Sequence, residues 1–339
     1  MKTLLKFNEE EYKESAKAIR SARKIAEEAA DKVCEEGFSN IYFTAVGGSL
    51  SPMMAITEFA KELTSLPIYV EQAAELLTCG NQRLNKNSVV ITLSKSGDTK
   101  ESVAIANYCK EQGIRVICCT GNENSPLAKA STYQVPMKHK NGVEYEYMLL
   151  YWLFFRILHN KGEFENYEAF ADGLSKLPEN LMKVKEQFDP KAEKIAKEHF
   201  DAPIQYWIAG NEMWGEAYLF SMCILEEMQW IKTKSVTSAE FFHGTLELIK
   251  PGISVFMIKG EGKGRVLDER AQKFLEAHTD KLVVIDTAEY ALDDMSKEFR
   301  WIVAPLVCST CLVDRLAAHL ESYTGHNLDY RRYYRQFEY

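Results

Sequence analysis

The chain has 339 residues, 46 % of them hydrophobic and 27 % charged, which is typical of a globular protein long enough for two domains. A formal net charge of −8 argues against nucleic acid or an anionic membrane as a partner. The longest apolar run, residues 148–155, is too short to span a bilayer. Residues 1–10 lack a secretory signal and the eight cysteines are scattered, so we expect a cytoplasmic location.

Residues 1–36 predict an N-terminal helical segment, because Ala and Glu are frequent there and Gly and Pro are absent. Strands and helices then alternate through residues 37–160. Short buried strands separated by helices predict a parallel sheet with helices on both faces. We expect the strands of this half at residues 41–46, 67–70, 88–93, 114–119 and 132–137.

Residues 161–200 are rich in Lys and Glu and predict connecting helices. The alternation restarts in residues 201–339, which end in a C-terminal tail. The two halves look like copies, since Gly47 lines up with Gly210 at an offset of 163 positions (210 − 47). We expect the strands of the second half at residues 205–209, 253–258, 281–285 and 301–307. The prediction is an α/β fold of two tandem domains, each a doubly wound, mainly parallel sheet flanked by helices.

The stretch from Ser94 to Thr99 (SKSGDT) is the most informative in the chain, because a predicted strand ends there and a predicted helix follows. Free N–H groups and the helix dipole favour an anion at such a point. Ser94, Ser96 and Thr99 add hydroxyl donors, and Lys95 and Gly97 are further candidates for substrate contact. No Gly-Lys-Ser/Thr follows, so this is not the nucleotide-binding loop. The turn predicts a cradle for a smaller phosphate, such as a sugar phosphate.

A second turn, Gly47-Gly48-Ser49, ends the first predicted strand and opens a helix. Glycines let a ligand approach the backbone closely. Neighbouring strand ends converge on one crevice in a doubly wound sheet, so we expect Ser49 to join the phosphate pocket and both glycines to contact substrate. The alternative is two capped helix starts with nothing bound. The second copy has lost its hydroxyls at the phosphate turn, so we expect only the first copy to keep the anion site.

A candidate catalytic carboxylate, Glu227, lies late in the apolar helix predicted over residues 218–230. Partial desolvation there would raise its pKa towards that of a general base, whereas Glu226 is predicted to be a surface residue. His243 follows two phenylalanines, and the residue pattern alone fits a catalytic group and a core histidine equally. Glu240 is predicted either to cap the next helix or to bind substrate.

The C-terminal tail is dense in aromatic and basic residues between Gly325 and Tyr334. A solvated tail is rarely so aromatic, so we expect it to pack, either on its own domain or across a subunit boundary. His326 and Arg332 are candidates for substrate contact, and Arg331 or Arg332 could meet an anion.

With these motifs the chain resembles the SIS (sugar isomerase) superfamily, and within it the fructosamine deglycases that act on 6-phosphorylated Amadori compounds. The turn at residues 94–99 carries the superfamily's phosphate signature. The isomerase domain of glucosamine-6-phosphate synthase is a more distant likeness, in which a catalytic Glu precedes the His of His-Gly-Pro by sixteen residues. Glu227 precedes His243 by the same number (243 − 227). Residues 223–231 and the tail from Arg331 to Tyr339 also resemble the deglycases.

The resemblance implies cleavage of a 6-phosphorylated amino acid adduct, of fructosamine or glucosamine type, into hexose 6-phosphate and a free amine. Glu227 would move a proton through an enaminol, His243 would assist ring opening, and water would hydrolyse the imine. No metal or redox cofactor is implied. The resemblance also implies a homodimer or dimer-based oligomer, with His243 and the tail reaching the neighbour's pocket.

Two departures from the family pattern are visible. Thr245 replaces the proline of His-Gly-Pro, and the tail lacks the lysine with which the synthase helps open the sugar ring. The missing lysine and the absent glutaminase domain disfavour glucosamine synthesis. Two alternatives stay open: an aldose–ketose or amino-sugar phosphate isomerase, and a non-catalytic sugar-phosphate sensor.

Overall fold

The computed structural model describes residues 4–140 and 142–338, and the chain divides into two units. Residues 8–178 form the first unit, and residues 179–338 together with 4–7 form the second. The N-terminal helix α1 (Glu9–Glu36) belongs to the first unit, and the division falls inside one long helix, Tyr167–His199. Tyr339, part of the tail resemblance, lies outside the described residues.

The first unit contains a parallel sheet of five strands in the order β2-β1-β3-β4-β5. The strands are β1 (Asn40–Ala45), β2 (Ile68–Gln72), β3 (Ser88–Ser94), β4 (Arg115–Thr120) and β5 (Tyr133–Pro136). The helices after α1 are α2 (Ser51–Leu63), α3 (Ala73–Cys79), α4 (Lys100–Glu111), α5 (Pro126–Ala130), α6 (Glu144–Asn160) and α7 (Tyr167–His199).

Helices cover both faces of this sheet. Successive side chains of a strand point to opposite faces, so each strand packs against helices on both sides. On one face, Tyr42 of β1 belongs to a core cluster with Ile105 of α4. On the other face, Phe43 contacts Phe154 of α6 in an edge-to-face arrangement, with ring centroids 6.0 Å apart. Strands β1 and β3 are therefore buried along their whole length.

The second unit contains a parallel sheet of four strands in the order β7-β6-β8-β9. The strands are β6 (Gln205–Ala209), β7 (Thr233–Thr237), β8 (Ser254–Lys259) and β9 (Leu282–Asp286). The helices are α8 (Trp214–Tyr218), α9 (Glu227–Gln229), α10 (Arg265–His278), α11 (Arg300–Ser309) and α12 (Ala317–Thr324). The predicted α/β fold of two doubly wound parallel sheets is confirmed.

Two elements of the second sheet differ from the sequence prediction. Residues 301–307, predicted as a strand from their β-branched residues, lie in α11, and the helix continues through a π-helical stretch, Thr310–Leu316, into α12. Residues 302–312 are all buried, and this buried stretch is longer than a typical strand, which suits a core helix. Strand β7 was not predicted, because its sequence TKSVT is polar and only partly buried.

Within the described residues, one helical run is long and apolar enough to cross a membrane. This run is Lys297–Thr324, and 83 % of its apolar window is buried inside the protein, as expected for a core helix.

Candidate functional site

The two turns singled out in the sequence leave the carboxyl ends of β1 and β3, which are neighbours in the first sheet. The connections on either side of this strand pair run in opposite directions, so it is a topological switch point, where open α/β sheets bind their ligands. Gly47–Leu50 forms a 3₁₀ turn after β1 and contacts β3. Ser49 therefore lies at the same sheet edge as the turn at residues 94–99.

Ser94 braces the turn that follows β3. It is buried, with 4 % of its surface exposed, and its Oγ lies 2.9 Å from Thr99 Oγ1. The N–H of Gly97 donates to the same Ser94 oxygen at 3.2 Å. Ser96 is exposed and its hydroxyl donates to the Asp98 carboxylate. The turn thus has one internal hydroxyl and presents Ser96 to solvent.

The helix starts beside these turns are not capped by the side chains that precede them. Thr99 occupies the N-cap position of α4 but makes no side-chain hydrogen bond to its first turn. Val46, before the 3₁₀ turn, and Leu50, before α2, also provide no side-chain cap. Side-chain caps therefore do not satisfy the N–H groups of these helix first turns, and such groups favour an anion.

The remaining candidates of this edge are glycines and a lysine. Gly47 has a positive φ of 55°, and Gly48 beside it is half-buried. The ammonium of Lys95 donates to the Lys140 carbonyl at 2.9 Å. Desolvation lowers the pKa of Lys95, and the charge of Glu146 opposes that shift.

Gly97 is required by both conformation and space. Its φ is +71°, and a Cβ there would lie 2.2 Å from Ser125 Oγ and 2.7 Å from Thr120 Oγ1. Ser125 is buried and caps α5 through the Ala128 N–H, so it cannot move aside freely. The glycine lets the turn pack directly on its neighbours.

The matching crevice of the second unit, between β6 and β8, is filled by the chain itself. Glu212 follows β6 and is buried, with 4 % exposure. Its Oε1 accepts the Gly262 N–H at 2.8 Å, in the turn after β8. A Cβ on Gly260 would lie 2.3 Å from that same oxygen. A carboxylate thus sits in the crevice that hydroxyls line in the first unit.

Sequence reasoning noticed the missing hydroxyls but not this carboxylate. The signal was present, since Glu212 lines up with Ser49 at the 163-position offset of the repeat (212 − 49). Asp268 is a second acid of the crevice and accepts a hydrogen bond from Ser238. Burial raises the pKa of Asp268 to about 6, and the charge of Glu212 adds to the shift. Two acids in one crevice disfavour a further anion.

Glu227 begins α9, directly after a π-helical stretch, Leu219–Glu226. Such stretches are frequent at functional sites. Glu227 lines a cavity of about 580 Å³. Its side chain is 33 % exposed, and its Oε1 accepts a hydrogen bond from Arg331 Nε at 3.0 Å. The Glu227 carboxylate is thus partly buried, and α9 ends two residues after it, at Gln229.

Glu226, His243 and Glu240 are all exposed. Glu226, predicted as a surface residue, accepts a hydrogen bond from Thr233. His243 ends a short 3₁₀ helix, and no hydrogen bond of its ring occurs within residues 4–140 and 142–338, so it is not a core histidine. Glu240 stands at the N-cap of that helix without a side-chain capping bond.

The tail packs on its own unit, around Trp230. The Arg332 guanidinium lies 4.1 Å from the centre of the Trp230 ring, and the His326 ring lies 4.3 Å from it. Gln229 donates to the His326 carbonyl at 2.6 Å. Trp230 itself has a left-handed backbone, with φ of +56°. Tyr333 and Tyr334 of the tail are exposed in this chain, and packing of the tail across a subunit boundary stays a prediction.

Comparison with known proteins places these sites in a family context. Residues 38–155 match the model of the SIS domain. The chain is 32 % identical to the fructosamine deglycase FrlB of Bacillus subtilis, over 88 % of this chain and 92 % of that protein. It is 24 % identical to the fructoselysine 6-phosphate deglycase of Escherichia coli, over 90 % of this chain and 88 % of that protein.

A solved structure shares the whole architecture. It is a candidate phosphosugar isomerase from Bacillus subtilis, 28 % identical to this chain, with a TM-score of 0.86. The match covers 94 % of this chain and 100 % of that one.

We expect Gly97→Ala to destabilise the fold by more than about 1 kcal/mol, through its positive φ and its contact with Ser125. Gly47→Ala is the matched control, because Gly47 also has a positive φ but nothing lies within 4 Å of its Cβ position. Urea unfolding of both variants measures the difference. Equal losses would show that the contact with Ser125 plays no part.

We expect Glu212→Ala to destabilise the second unit by about 1–3 kcal/mol, because the Gly262 N–H loses its acceptor. Inorganic phosphate should restore part of that loss by entering the vacated crevice, whereas chloride of equal ionic strength should not. Thermal unfolding in the two salts measures this. Exposed Glu298→Ala serves as control, and phosphate that stabilises both variants alike would contradict the expectation.

Proposed function

Because the chain belongs to the fructosamine deglycase family of SIS-domain proteins, we propose that it cleaves a 6-phosphorylated Amadori compound into hexose 6-phosphate and a free amine or amino acid. The hydroxyl-bearing turn at residues 94–99 carries this proposal, because it follows β3 at the switch point and lacks a side-chain cap on α4. The substrate is a small adduct rather than nucleic acid or a membrane, and the proposed location is the cytoplasm.

The phosphate of the substrate binds to the first unit in this proposal. Ser49, Ser94, Ser96 and Thr99 contact it together with N–H groups of α4, and Ser94 also holds the turn in shape. Substrate contact by Gly47, Gly48, Lys95 and Gly97 belongs to the same proposal. Binding energy gained at the phosphate holds the reacting carbons in place and lowers the barrier at a distance from the turn.

The chemistry is a proton transfer followed by hydrolysis. His243 assists opening of the sugar ring, and Glu227 removes a proton from C1 of the ketose amine. The C2 carbonyl becomes a hydroxyl, which gives an enaminol. Return of a proton to C2, with loss of the N–H proton, leaves an imine at C1. Water adds to the imine and releases the amine, so the balanced reaction needs no metal or redox cofactor.

The ion pair with Arg331 suits Glu227 to the role of base. A guanidinium pairs with the charged carboxylate, which is the form that can accept a proton. Arg331 also fixes one oxygen of Glu227 and leaves the other for the substrate. Glu240, His326 and Arg332 are proposed as further substrate contacts.

A homodimer is also part of the proposal. His243 is exposed and its ring has no hydrogen-bond partner among the described residues, so it is available to a neighbouring copy. We place it in the pocket of that copy, as the family resemblance implies.

A plain sugar-phosphate isomerase is the second candidate, because the solved structure with TM-score 0.86 is classed as a candidate phosphosugar isomerase. Incubation with a fructosamine 6-phosphate separates the two. A deglycase releases free amine together with hexose 6-phosphate, whereas an isomerase leaves the amine attached.

We expect Glu227→Gln to lower kcat for amine release by roughly 10²-fold or more, because the amide cannot accept the proton. Binding of hexose 6-phosphate should stay within about twofold, since the phosphate turn is intact. Glu226→Gln is the matched control and should keep most of the activity. Near-normal turnover by Glu227→Gln would reject Glu227 as the base.

Mixing two inactive variants tests the dimer. If His243 serves the neighbour's pocket, Glu227→Gln and His243→Asn chains that exchange at random should regain about a quarter of the active sites, since half of the dimers are mixed and each holds one intact pair. Refolding the two variants together and separately measures this. No recovery in mixed dimers would show that both residues must come from one chain.

A further inference from the structure

Two cationic side chains in the cavity of Glu227 have no carboxylate partner among the described residues. Arg331 is engaged with Glu227 at 3.0 Å, but Arg332 and Lys232 form no ion pair within residues 4–140 and 142–338. Both side chains line the cavity of about 580 Å³.

The local charge of the cavity is opposite to that of the chain. Three cationic and two acidic side chains line it, a formal charge of +1, whereas the whole chain carries −8. Both acids are already engaged, Glu226 by Thr233 and Glu227 by Arg331. The positive charges of Arg332 and Lys232 therefore favour the binding of an anion in this cavity.

Trp230 holds Arg332 in place. The guanidinium lies 4.1 Å from the ring centre, a cation–π distance, and His326 packs against the same ring. A stacked guanidinium keeps its edge N–H groups available, and that planar edge matches a carboxylate in two parallel hydrogen bonds. The left-handed backbone of Trp230 is an unusual conformation of the kind found at functional sites.

We propose that Arg332, held on Trp230 and assisted by Lys232, binds the carboxylate of the amino acid part of the substrate. The inference rests on the proposed function and names the class of amine: an amino acid with a free carboxylate. In an adduct through the α-amine, the carboxylate carbon is three bonds from sugar C1, so the two atoms are at most about 3.8 Å apart. Glu227 acts at that C1, so a cation in the same cavity is well placed to meet the carboxylate.

The experiment compares two matched pairs of fructosamine 6-phosphates. One pair carries glycine or glycinamide through the α-amine, and the other carries lysine or lysine amide through the ε-amine. For wild type, kcat/KM should favour the acid over the amide in at least one pair. Arg332→Gln should lower kcat/KM for that acid by about 10- to 100-fold and leave its amide within about twofold.

Three further variants sharpen the result. Lys232→Gln should lower the preference for the acid less than Arg332→Gln does. Arg332→Lys should restore it only in part, because an ammonium cannot make the two parallel bonds. Lys234→Gln, at an exposed lysine of β7 outside the cavity, should change kcat/KM for neither substrate. The pair in which the preference appears identifies α-linked or ε-linked adducts.

Equal loss on acid and amide in Arg332→Gln, or no wild-type preference in either pair, would overturn the inference while leaving the deglycase proposal standing. If wild type releases no amine from any adduct, the deglycase proposal fails. Calorimetric binding of the same four compounds then decides the inference separately. Tighter binding of an acid that disappears in Arg332→Gln supports the carboxylate site, and equal binding of acid and amide rejects it.

Discussion

The divergence of the chain connections at β1 and β3 is the constraint on which the first unit's site depends. All strands of a parallel sheet end on the same side of the sheet. A crevice opens there between the two strands whose following connections run in opposite directions. The turn at residues 94–99 lies there, with a buried Ser94 bonded to both Gly97 and Thr99. Ser94 fixes the turn from inside, and the proposed phosphate site uses the exposed Ser96 and the start of α4.

The two units differ in the crevice at the carboxyl ends of their central strands. In the first unit, hydroxyls and backbone N–H groups form a neutral set of donors, which suits a ligand that brings its own charge. In the second unit, Glu212 already supplies that charge and accepts the Gly262 N–H. The two units therefore share the strand arrangement of their sheets but differ at the aligned positions Ser49 and Glu212, and in the second unit the carboxylate fills the crevice.

Local patterns in the sequence predicted the first unit well, because its central strands β1, β3 and β4 are mainly apolar, buried runs bounded by turns. They failed at residues 301–307, where β-branched residues favour a strand but burial on all sides selects a helix. The polar strand β7 carried no such run. In the site, spacing singled out Glu227, but its partner Arg331 lies 104 positions away, and such contacts depend on tertiary packing. The partial burial of Glu227, whose side chain is 33 % exposed, likewise depends on tertiary packing.

The backbone of Trp230 has a consequence for how this protein can change over time. Helices most often place glycine at a left-handed end, where a larger residue is disfavoured by about 1 kcal/mol. A glycine at this position would relax the chain but delete the ring that Arg332 and His326 share. Selection for thermal stability alone would thus favour a glycine at this position, which raises the stability of the fold and weakens the proposed selectivity for a carboxylate. If a more thermostable relative kept Trp230, ligand selectivity would have been under stronger selection than stability at this position.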